Sequence, residues 1–344
     1  MKPLIRPPAL KPGSKIGIFT PSSPANVGLR DKYLHGINVL KKMGFEVLEG
    51  SLTRAQKTQG YRSGTPKERA DEFMELIHDD SVHALMSTIG GANSSSMIPF
   101  LDFDAIRARP KVICGYSNVT SLHMAILAYS GLSTFYGPAL APSFGEWPDV
   151  LPETKQSFLE AVQTHRMGAR TLQPPKRWSN HLRFAPGQWK TEPRIFLNNE
   201  GGLSLNGGSA KGALIVANLS TLLTSAGTTS FPNLEGKLLL IEQMNAPLAT
   251  DERCLRHLER LGVFDAITGL IMSKPEVYDQ QGAPFNSDEL LLEIVGTNRK
   301  YPIITHFDCG HANPMLTIAE LSDAKIEAKT GFDTCVEILA PMVV

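Results

Sequence analysis

The sequence predicts an α/β fold with two domains, and three observations support this prediction. Short apolar strands alternate with amphipathic helices over residues 1–145, a stretch rich in proline and tryptophan follows over 146–200, and the alternation returns over 201–344. Strands that alternate with helices are typical of a parallel sheet covered by helices on both faces. We therefore expect an N-terminal domain over 1–145, a linker and loop over 146–200, and a C-terminal domain over 201–344, each domain with its own core.

The N-terminal domain shows clear signals for helix starts and stops. Apolar residues at helical spacing predict a helix over Asp31–Met43, and Gly44 is a suitable stop. The sequence Thr-Pro-Lys-Glu from Thr65 is typical of a capping box with proline at the first helical position. Predicted strands are Lys15–Thr20, Phe45–Glu49, Val82–Thr88, Val112–Cys114 and Ser133–Tyr136, with a short helix near Asp104–Ala108.

The rest of the chain divides into an irregular stretch and a second alternating pattern. The stretch over 146–200 carries all three tryptophans and predicts one helix, over Glu153–Met167. Beyond residue 201 the pattern is again strand and helix, and the last alternating segment predicts a hairpin. Predicted strands are Gly236–Gln243, Gly269–Ser273 and Ile303–Phe307, helices are Thr250–Leu261 and Asn286–Val295, and the hairpin spans Lys325–Leu339.

The amino-acid composition limits the kinds of molecule that we expect this protein to bind. Lys and Arg together number 34, as do Asp and Glu, so the net charge is zero and does not favour nucleic acid or an anionic membrane. The chain has no apolar run of about 18 residues and no signal-peptide-like start. Its four cysteines lack Cys-x-x-Cys spacing, which favours reduced thiols over disulfides or zinc ligation. We therefore expect a cytoplasmic protein without nucleic-acid polymers or membranes as partners.

The stretch Lys111–Thr120 carries the first candidate for chemistry. An apolar strand ends at Gly115, Ser117 follows in a turn, and Val119–Tyr129 predicts an apolar helix. A strand–turn–helix of this kind exposes a serine hydroxyl for nucleophilic attack, and the backbone N–H of Asn118 can stabilise an oxyanion. The motif Gly-Tyr-Ser-Asn is only part of Gly-x-Ser-x-Gly, so Ser117 can equally be a helix cap.

Two further residues complete a possible catalytic triad. Glu242 ends an apolar strand, and His311 lies in a Gly/Pro-containing loop after another strand. Taken singly, Glu242 can be a salt-bridged residue at the sheet edge and His311 a surface histidine. Together with Ser117 they supply the nucleophile, base and orienting carboxylate of a serine hydrolase, at the interface of the two domains. Gly91, at the end of a neighbouring strand, is a candidate for the second oxyanion N–H.

These residues belong to a set of motifs that resembles the LD-carboxypeptidase family of serine peptidases. The resemblance implies a Rossmann-like N-terminal domain, a barrel-like C-terminal domain, no metal or other cofactor, and a homodimer. It also implies Ser117 as nucleophile, His311 as base and Glu242 as orienting acid, with Gly91 and Asn118 as oxyanion donors. The matching segments are Thr20-Pro21-Ser22-Ser23, Ile89-Gly90-Gly91, Gly115–Thr120, Gly212-Ala213-Leu214, Asn218-Leu219-Ser220, Glu242 and Gly310-His311.

The family has two branches with different substrates. One removes the terminal D-alanine of muropeptides, and the other, the microcin C immunity (MccF) branch, cleaves an amide between an acyl-amino acid and a nucleotide-like group. The tryptophan-bearing loop Lys176–Arg194 resembles the second branch, because Trp178 and Trp189 can stack on a nucleobase. Either tryptophan can instead be a packing residue. Gly201-Gly202 stands where we expect Gly-Trp, which removes one aromatic from the predicted pocket.

The sequence leaves three alternatives to a serine hydrolase that cleaves a small peptide-like or aminoacyl-nucleotide substrate. A muropeptide carboxypeptidase needs a cation for the substrate carboxylate, for which Arg177, Arg183 and Arg194 are available. A sensing module without turnover is disfavoured by the intact Ser, Glu and His positions. A cysteine hydrolase using Cys114 or Cys309 is weaker, because we expect Cys114 to be buried in its strand and Cys309 has no obvious site for a substrate carbonyl beside it.

Overall fold

The computed structural model describes residues 2–164, 168–181, 183, 187–244, 247–276 and 278–344. Its N-terminal part alternates strands and helices, as predicted. The strands lie in the order β5-β4-β3-β1-β2, and all neighbouring pairs are parallel. These elements are β1 (Lys15–Phe19), α1 (Ala25–Gly28), α2 (Arg30–Lys42), β2 (Glu46–Glu49), α3 (Ser51–Ala55), α4 (Pro66–His78), β3 (Ala84–Ser87), α5 (Phe103–Ala108), β4 (Val112–Gly115), α6 (Thr120–Ser130) and β5 (Phe135–Tyr136).

Local signals account for the helix limits of this part. The predicted capping box at Thr65 is present, because its hydroxyl accepts a hydrogen bond from the Glu68 N–H and the Glu68 carboxylate accepts one from the Thr65 N–H. Pro66 therefore begins α4. At the end of α6, Gly131 adopts a left-handed conformation with φ of 75° and stops the helix.

The middle of the chain contains short elements within an irregular path. Helix α7 begins at Pro152, close to its predicted start, and the predicted end at Met167 lies outside the described residues. Strands β7 and β8 form an antiparallel pair that carries Trp178. The elements are α7 (Pro152–Gln163), β6 (Arg170–Thr171), β7 (Arg177–Trp178), α8 (Gln188–Thr191) and β8 (Leu197–Asn198).

The C-terminal part forms a second, eight-stranded sheet. Its order is β6-β16-β15-β10-β11-β12-β13-β9, and the four central strands β10 to β13 are parallel. The elements are β9 (Leu203–Asn206), β10 (Gly208–Asn218), α9 (Leu219–Leu223), β11 (Leu238–Glu242), α10 (Leu248–Arg260), α11 (Val263–Ala266), β12 (Gly269–Ser273), α12 (Ser287–Val295), β13 (Ile303–Phe307), β14 (Ile318–Ala319), β15 (Ser322–Ala328) and β16 (Thr334–Ile338).

The two sheets are joined through their cores and through one strand. Strand β14 leaves the second half of the chain and pairs antiparallel with β5 at the edge of the first sheet. One buried apolar cluster contains residues of both sheets, among them Ile18 and Leu240. The carboxyl ends of parallel strands in such sheets line a crevice, so β4 and β11 bring their ends to the position where a site is expected.

The structure agrees with the predicted fold class, a parallel N-terminal sheet followed by a second α/β unit. The domain limits at residues 145 and 201 stay predictions. Within the described ranges no helix combines the length and apolarity that a membrane crossing requires.

Candidate active site

Ser117 lies in a strained turn between β4 and α6. Its backbone is left-handed, with φ of 62°, in the short 3₁₀ turn Ser117–Val119. A non-glycine residue in this region marks a backbone held by its surroundings. The neighbouring strand end approaches closely, because a Cβ built on Gly90 would lie 3.0 Å from the Ser117 Cβ. The glycine at that position therefore makes room for the exposed serine, as a nucleophile elbow requires.

The structure brings Ser117, His311 and Glu242 together in one chain of hydrogen bonds. His311 Nε2 lies 3.1 Å from Ser117 Oγ, and His311 Nδ1 lies 2.6 Å from Glu242 Oε2. Gly310 has φ of 122°, and a Cβ there would lie 2.8 Å from the Glu242 side chain. The loop can therefore present His311 to the carboxylate only with glycine before it.

Two further donors hold the Glu242 carboxylate. The Tyr136 hydroxyl donates a short hydrogen bond to Oε1, and Asn218 Nδ2 donates to the same oxygen at 3.0 Å. Burial alone would raise the pKa of Glu242, but the charge of His311 and these hydrogen bonds hold that pKa below its usual value. Burial alone would lower the pKa of His311, but Glu242, with a smaller contribution from Glu276, raises it above its usual value. Both shifts favour a protonated His311 ring beside an ionised Glu242.

Tyr136 connects the acid to the nucleophile, and the sequence analysis did not identify it. Its hydroxyl accepts a hydrogen bond from the Ser117 N–H at 3.1 Å while it donates to Glu242. Burial raises the pKa of Tyr136, so the hydroxyl keeps its proton and remains a donor. Its position in the sheet could have indicated this role, because Tyr136 ends β5, the strand beside β4. Asn218, at the end of β10 beside β11, could have been found by the same reasoning.

The predicted oxyanion donors lie beside Ser117. Gly91 has φ of 140°, and a Cβ there would lie 2.3 Å from Ser22 Oγ, so the position accepts only glycine. The Asn118 side chain is fixed by Ser94, whose N–H donates to Asn118 Oδ1 at 2.7 Å. Among the residues that the structure describes, neither the Gly91 N–H nor the Asn118 N–H donates a backbone hydrogen bond outside its own secondary-structure element. Both remain available to a ligand.

A buried arginine holds the loop that carries Gly91. Arg69 is 1% exposed and its Nη1 donates to the Pro21 carbonyl at 2.5 Å and to Asn93 Oδ1 at 2.9 Å. Its Nη2 donates to Ser96 Oγ at 2.8 Å. The guanidinium therefore ties the loop after β1 to the loop after β3. Helical periodicity alone, which places Arg69 within α4, did not reveal this role.

The two tryptophans predicted to bind substrate lie in different environments. Trp189 is 3% exposed and packs against His35 and Trp147, with ring centroids 5.6 and 5.9 Å away. Trp178 is half-buried, with Lys274 Nζ 5.8 Å from its ring centroid. Stacking of a base on Trp189 would require this cluster to open, whereas Trp178 keeps part of its surface accessible. Their roles in binding stay predictions.

The arginines considered for a substrate carboxylate are engaged elsewhere. Arg183 and Arg194 both form ion pairs with the buried Glu146, the second at 2.6 Å. The Arg177 guanidinium lies 3.9 Å from the ring centroid of Phe196. The ion pairs with Glu146 hold Arg183 and Arg194 in a buried charge cluster, so neither guanidinium is a free cation.

Neither cysteine alternative is favoured by its surroundings. Cys114 and Cys309 are buried, and burial raises the pKa of both thiols, so the reactive thiolate is scarce. Their Sγ–H groups point to the carbonyls of Pro138 and Leu316. Over the described residues, no cluster of His, Cys, Asp and Glu has the arrangement of a metal site.

Comparison with known proteins agrees with this geometry. The family model described as the LD-carboxypeptidase N-terminal domain matches residues 16–137, and the model for the C-terminal domain matches residues 211–326. The chain belongs to the LD-carboxypeptidase family. It is thus a serine peptidase by family, and the resemblance drawn from the motifs is confirmed.

Several LD-carboxypeptidase family members are similar over almost the whole chain. The microcin C7 self-immunity protein MccF of Escherichia coli is 39% identical over 318 residues, which cover 92% of this chain and 91% of MccF. A Bacillus subtilis protein named "Probable murein peptide carboxypeptidase" is 30% identical, covering 91% of this chain and 88% of that protein. A solved structure of MccF with aspartyl sulfamoyl adenosine gives a TM-score of 0.91 at 36% identity and covers 99% of this chain and 100% of that chain. The predicted fold is therefore confirmed and extends to both sheets.

Proposed function

We propose that this enzyme hydrolyses an amide bond through an acyl-enzyme on Ser117. The observation that carries the proposal is the hydrogen-bond chain from Ser117 Oγ through the His311 ring to Glu242. His311 Nε2 takes the Ser117 proton as Oγ attacks the substrate carbonyl carbon. Glu242 keeps the proton on Nδ1, so Nε2 is free to act as base, and it stabilises the imidazolium that forms.

The remaining steps use the same groups in turn. The N–H groups of Gly91 and Asn118 bind the oxyanion of the tetrahedral intermediate. The His311 imidazolium then gives its proton to the leaving nitrogen, and the C–N bond breaks to leave an ester on Ser117. Water attacks this ester with His311 again as base, and the collapse of the second intermediate returns the proton to Ser117 Oγ.

For the substrate we propose an aminoacyl or peptidyl group joined to a nucleotide-like group. The support is the similarity to MccF over 92% of this chain and the binding of aspartyl sulfamoyl adenosine by MccF itself. Trp178, half-buried at the edge of the 176–194 loop, is the better placed of the two tryptophans to stack on a base. The homodimer and the cytoplasmic location stay predictions.

The test is a hydrolysis assay with two substrates. Wild-type enzyme is given aspartyl sulfamoyl adenosine in one reaction and a muramyl tetrapeptide ending in D-alanine in the other, with product release followed by mass spectrometry. We expect turnover of the adenylate and little or none of the tetrapeptide. Turnover of the tetrapeptide alone would overturn the proposed substrate class and leave the triad in place.

A muropeptide LD-carboxypeptidase is the second candidate. It is favoured by the Bacillus subtilis relative named as a murein peptide carboxypeptidase. Such a substrate ends in a free carboxylate, which needs a cation in the site. Arg183 and Arg194 are already paired with Glu146, which weighs against this candidate.

The proposed role of His311 predicts the acidic limb of the pH–rate profile. Only neutral His311 can accept the Ser117 proton, so kcat/KM falls as the pH drops through the His311 pKa. Because Glu242 raises that pKa, we expect the half-maximal rate above pH 6.5, the ordinary value for histidine. The measurement is kcat/KM between about pH 5 and 9. A rate independent of pH across this range would contradict His311 as base.

Removing the Tyr136 hydroxyl is expected to slow catalysis and move the pH profile. Tyr136→Phe keeps the ring but removes the donor to Glu242, and a hydrogen bond to a charged group has a net value that corresponds to about 10- to 100-fold in kcat/KM. A carboxylate with one donor fewer attracts the His311 proton more strongly. The acidic limb should therefore move to higher pH.

A matched control separates this effect from general destabilisation. Tyr33 also donates its hydroxyl to a carboxylate, that of Glu49 at 2.5 Å, and it contacts none of the triad residues in the hydrogen bonds described. Tyr33→Phe should therefore leave the pH profile where it is in wild type. If both variants have the same profile as wild type, Tyr136 does not position Glu242.

A further inference from the structure

Glu276 is a buried carboxylate that the proposed mechanism does not use. It follows the end of β12 and is 5% exposed. Its Oε2 is buried and has no hydrogen-bond partner among the residues that the structure describes. Burial raises the pKa of Glu276 to about 7. A buried polar group without a partner is costly, and such a group in an enzyme is a candidate for ligand contact.

The topology places Glu276 at the same edge as the triad. Strand β12 lies between β11, which ends at Glu242, and β13, which precedes His311. The groups are close enough that Glu276 adds to Glu242 in raising the pKa of His311. It also adds to the effect of burial in raising the pKa of Tyr116, the residue before Ser117. Glu276 therefore follows a strand at the same sheet edge as the triad, and its charge acts on His311.

Within the described part of the chain, the charged groups near Glu276 form no ion pair with it. Beside the larger effect of burial, the charges of His311 and Arg194 lower the pKa of Glu276, whereas the charge of Glu242 raises it. The Arg194 guanidinium is held by Glu146, at 2.6 Å. Lys274, on the same loop, is buried in an ion pair with Asp308 at 2.8 Å. A cationic group of a ligand would therefore meet a carboxyl group that no cation of the described residues pairs with.

We propose that Glu276 binds an ammonium group of the substrate, the free α-amine of the acyl residue whose carbonyl Ser117 attacks. The inference rests on the proposed function and narrows its substrate class. An α-amine is attached to the atom next to the scissile carbonyl, so it is the cationic substituent that necessarily lies near the triad. A carboxylate accepts hydrogen bonds and pairs with an ammonium, and a partner of this kind in a buried site contributes strongly to selection.

The same arrangement disfavours an anionic group at this position. A terminal carboxylate beside Glu276 would add like charge to a site that already holds Glu242. The subsite therefore favours aminoacyl groups with a free amine over acyl groups whose amine is absent.

The experiment compares two substrates that differ only in this amine. One is aspartyl sulfamoyl adenosine, and the other is its desamino analogue, in which the α-amino group is replaced by hydrogen. For wild type we expect kcat/KM at least about 30-fold higher with the free amine, the loss typical of leaving one partner of a buried charge pair unpaired. In Glu276→Gln the ratio should fall to near one. Glu276→Asp keeps the charge and should retain part of the preference.

Asp251→Asn is the matched control. Asp251, on α10, is also buried, has an oxygen without a hydrogen-bond partner among the described residues, and has a pKa that burial raises to about 7. In the contacts of the described residues it forms no hydrogen bond or ion pair with Ser117, His311 or Glu242. It should keep the wild-type ratio. Labelling of Ser117 by a fluorophosphonate verifies that each variant is folded with a reactive serine.

The outcomes are distinct. If wild type cleaves both substrates equally, or if Glu276→Gln keeps the wild-type ratio, the ammonium subsite is wrong while the proposed function stands. If wild type cleaves neither substrate, the proposed function fails and the subsite fails with it. A ratio that collapses in Glu276→Gln alone supports the subsite.

Discussion

Ser117→Ala is expected to abolish turnover, with kcat lower by about 10⁴- to 10⁶-fold. The substitution removes the oxygen that would form the acyl-enzyme, and His311 then has no nucleophile within reach of Nε2. The Cβ that packs against Gly90 remains, so the turn should keep its shape. Turnover of the adenylate and labelling by a fluorophosphonate should both be lost, and the two measurements together report the nucleophile independently of the substrate class.

The matched control for this variant is Ser121→Ala. Ser121 is buried on α6, one turn beyond the nucleophile, and its hydroxyl has no hydrogen-bond partner within the described ranges. Its removal should leave turnover and labelling close to wild type. A Ser117→Ala enzyme that still cleaves the adenylate at more than about one-hundredth of the wild-type rate would exclude Ser117 as nucleophile, because loss of a nucleophile costs far more.

Glu242→Gln is expected to lower kcat by about 10⁴-fold with little change in substrate affinity. The amide cannot stabilise the imidazolium, and its N–H₂ group can turn toward Nδ1 and favour the wrong His311 tautomer. Tyr136 and Asn218 both donate to Oε1, so they hold the amide oxygen on their side and direct the N–H₂ group toward His311 Nδ1. The measurement is kcat and KM for the adenylate over a range of pH.

Glu320→Gln is the control for a buried carboxylate without a place in the triad. Burial raises the pKa of Glu320 well above its usual value, so its side chain is neutral, and one oxygen accepts the Val216 N–H at 3.1 Å. The amide can accept the same hydrogen bond, so activity should change little. Equal losses in both variants would mean that the Glu242 effect reflects folding and not catalysis.

Much of the fold and the three central residues could be predicted from the sequence, because their signals are local. The strands β12 and β13 have the predicted limits, since an apolar run bounded by turn residues is a short-range property. The capping box at Thr65 is likewise contained in four residues. Ser117 in its turn, Glu242 at a strand end and His311 after Gly310 were each recognisable from their immediate neighbours.

The limits of sequence analysis lie where long-range contacts decide. Tyr136 acquires its role only because β5 pairs with β4 and its hydroxyl meets Glu242, a residue 106 positions away in the chain. Trp178 and Trp189 are indistinguishable in the sequence, since both are tryptophans of the segment 176–194. Packing against His35 and Trp147 nevertheless buries Trp189 and leaves Trp178 only half-buried. No periodicity distinguishes the two.

The sequence by itself therefore determined the alternating elements, the glycine-supported turn at Ser117 and the family to which the chain belongs. The tertiary structure alone decided which side chains donate to the Glu242 carboxylate and which arginines are already paired. It also decided that Glu276 is buried and that its Oε2 has no hydrogen-bond partner among the described residues. The physical reason is that backbone propensity and periodicity act over a few residues, whereas hydrogen bonds and burial at a sheet edge join residues from separate strands.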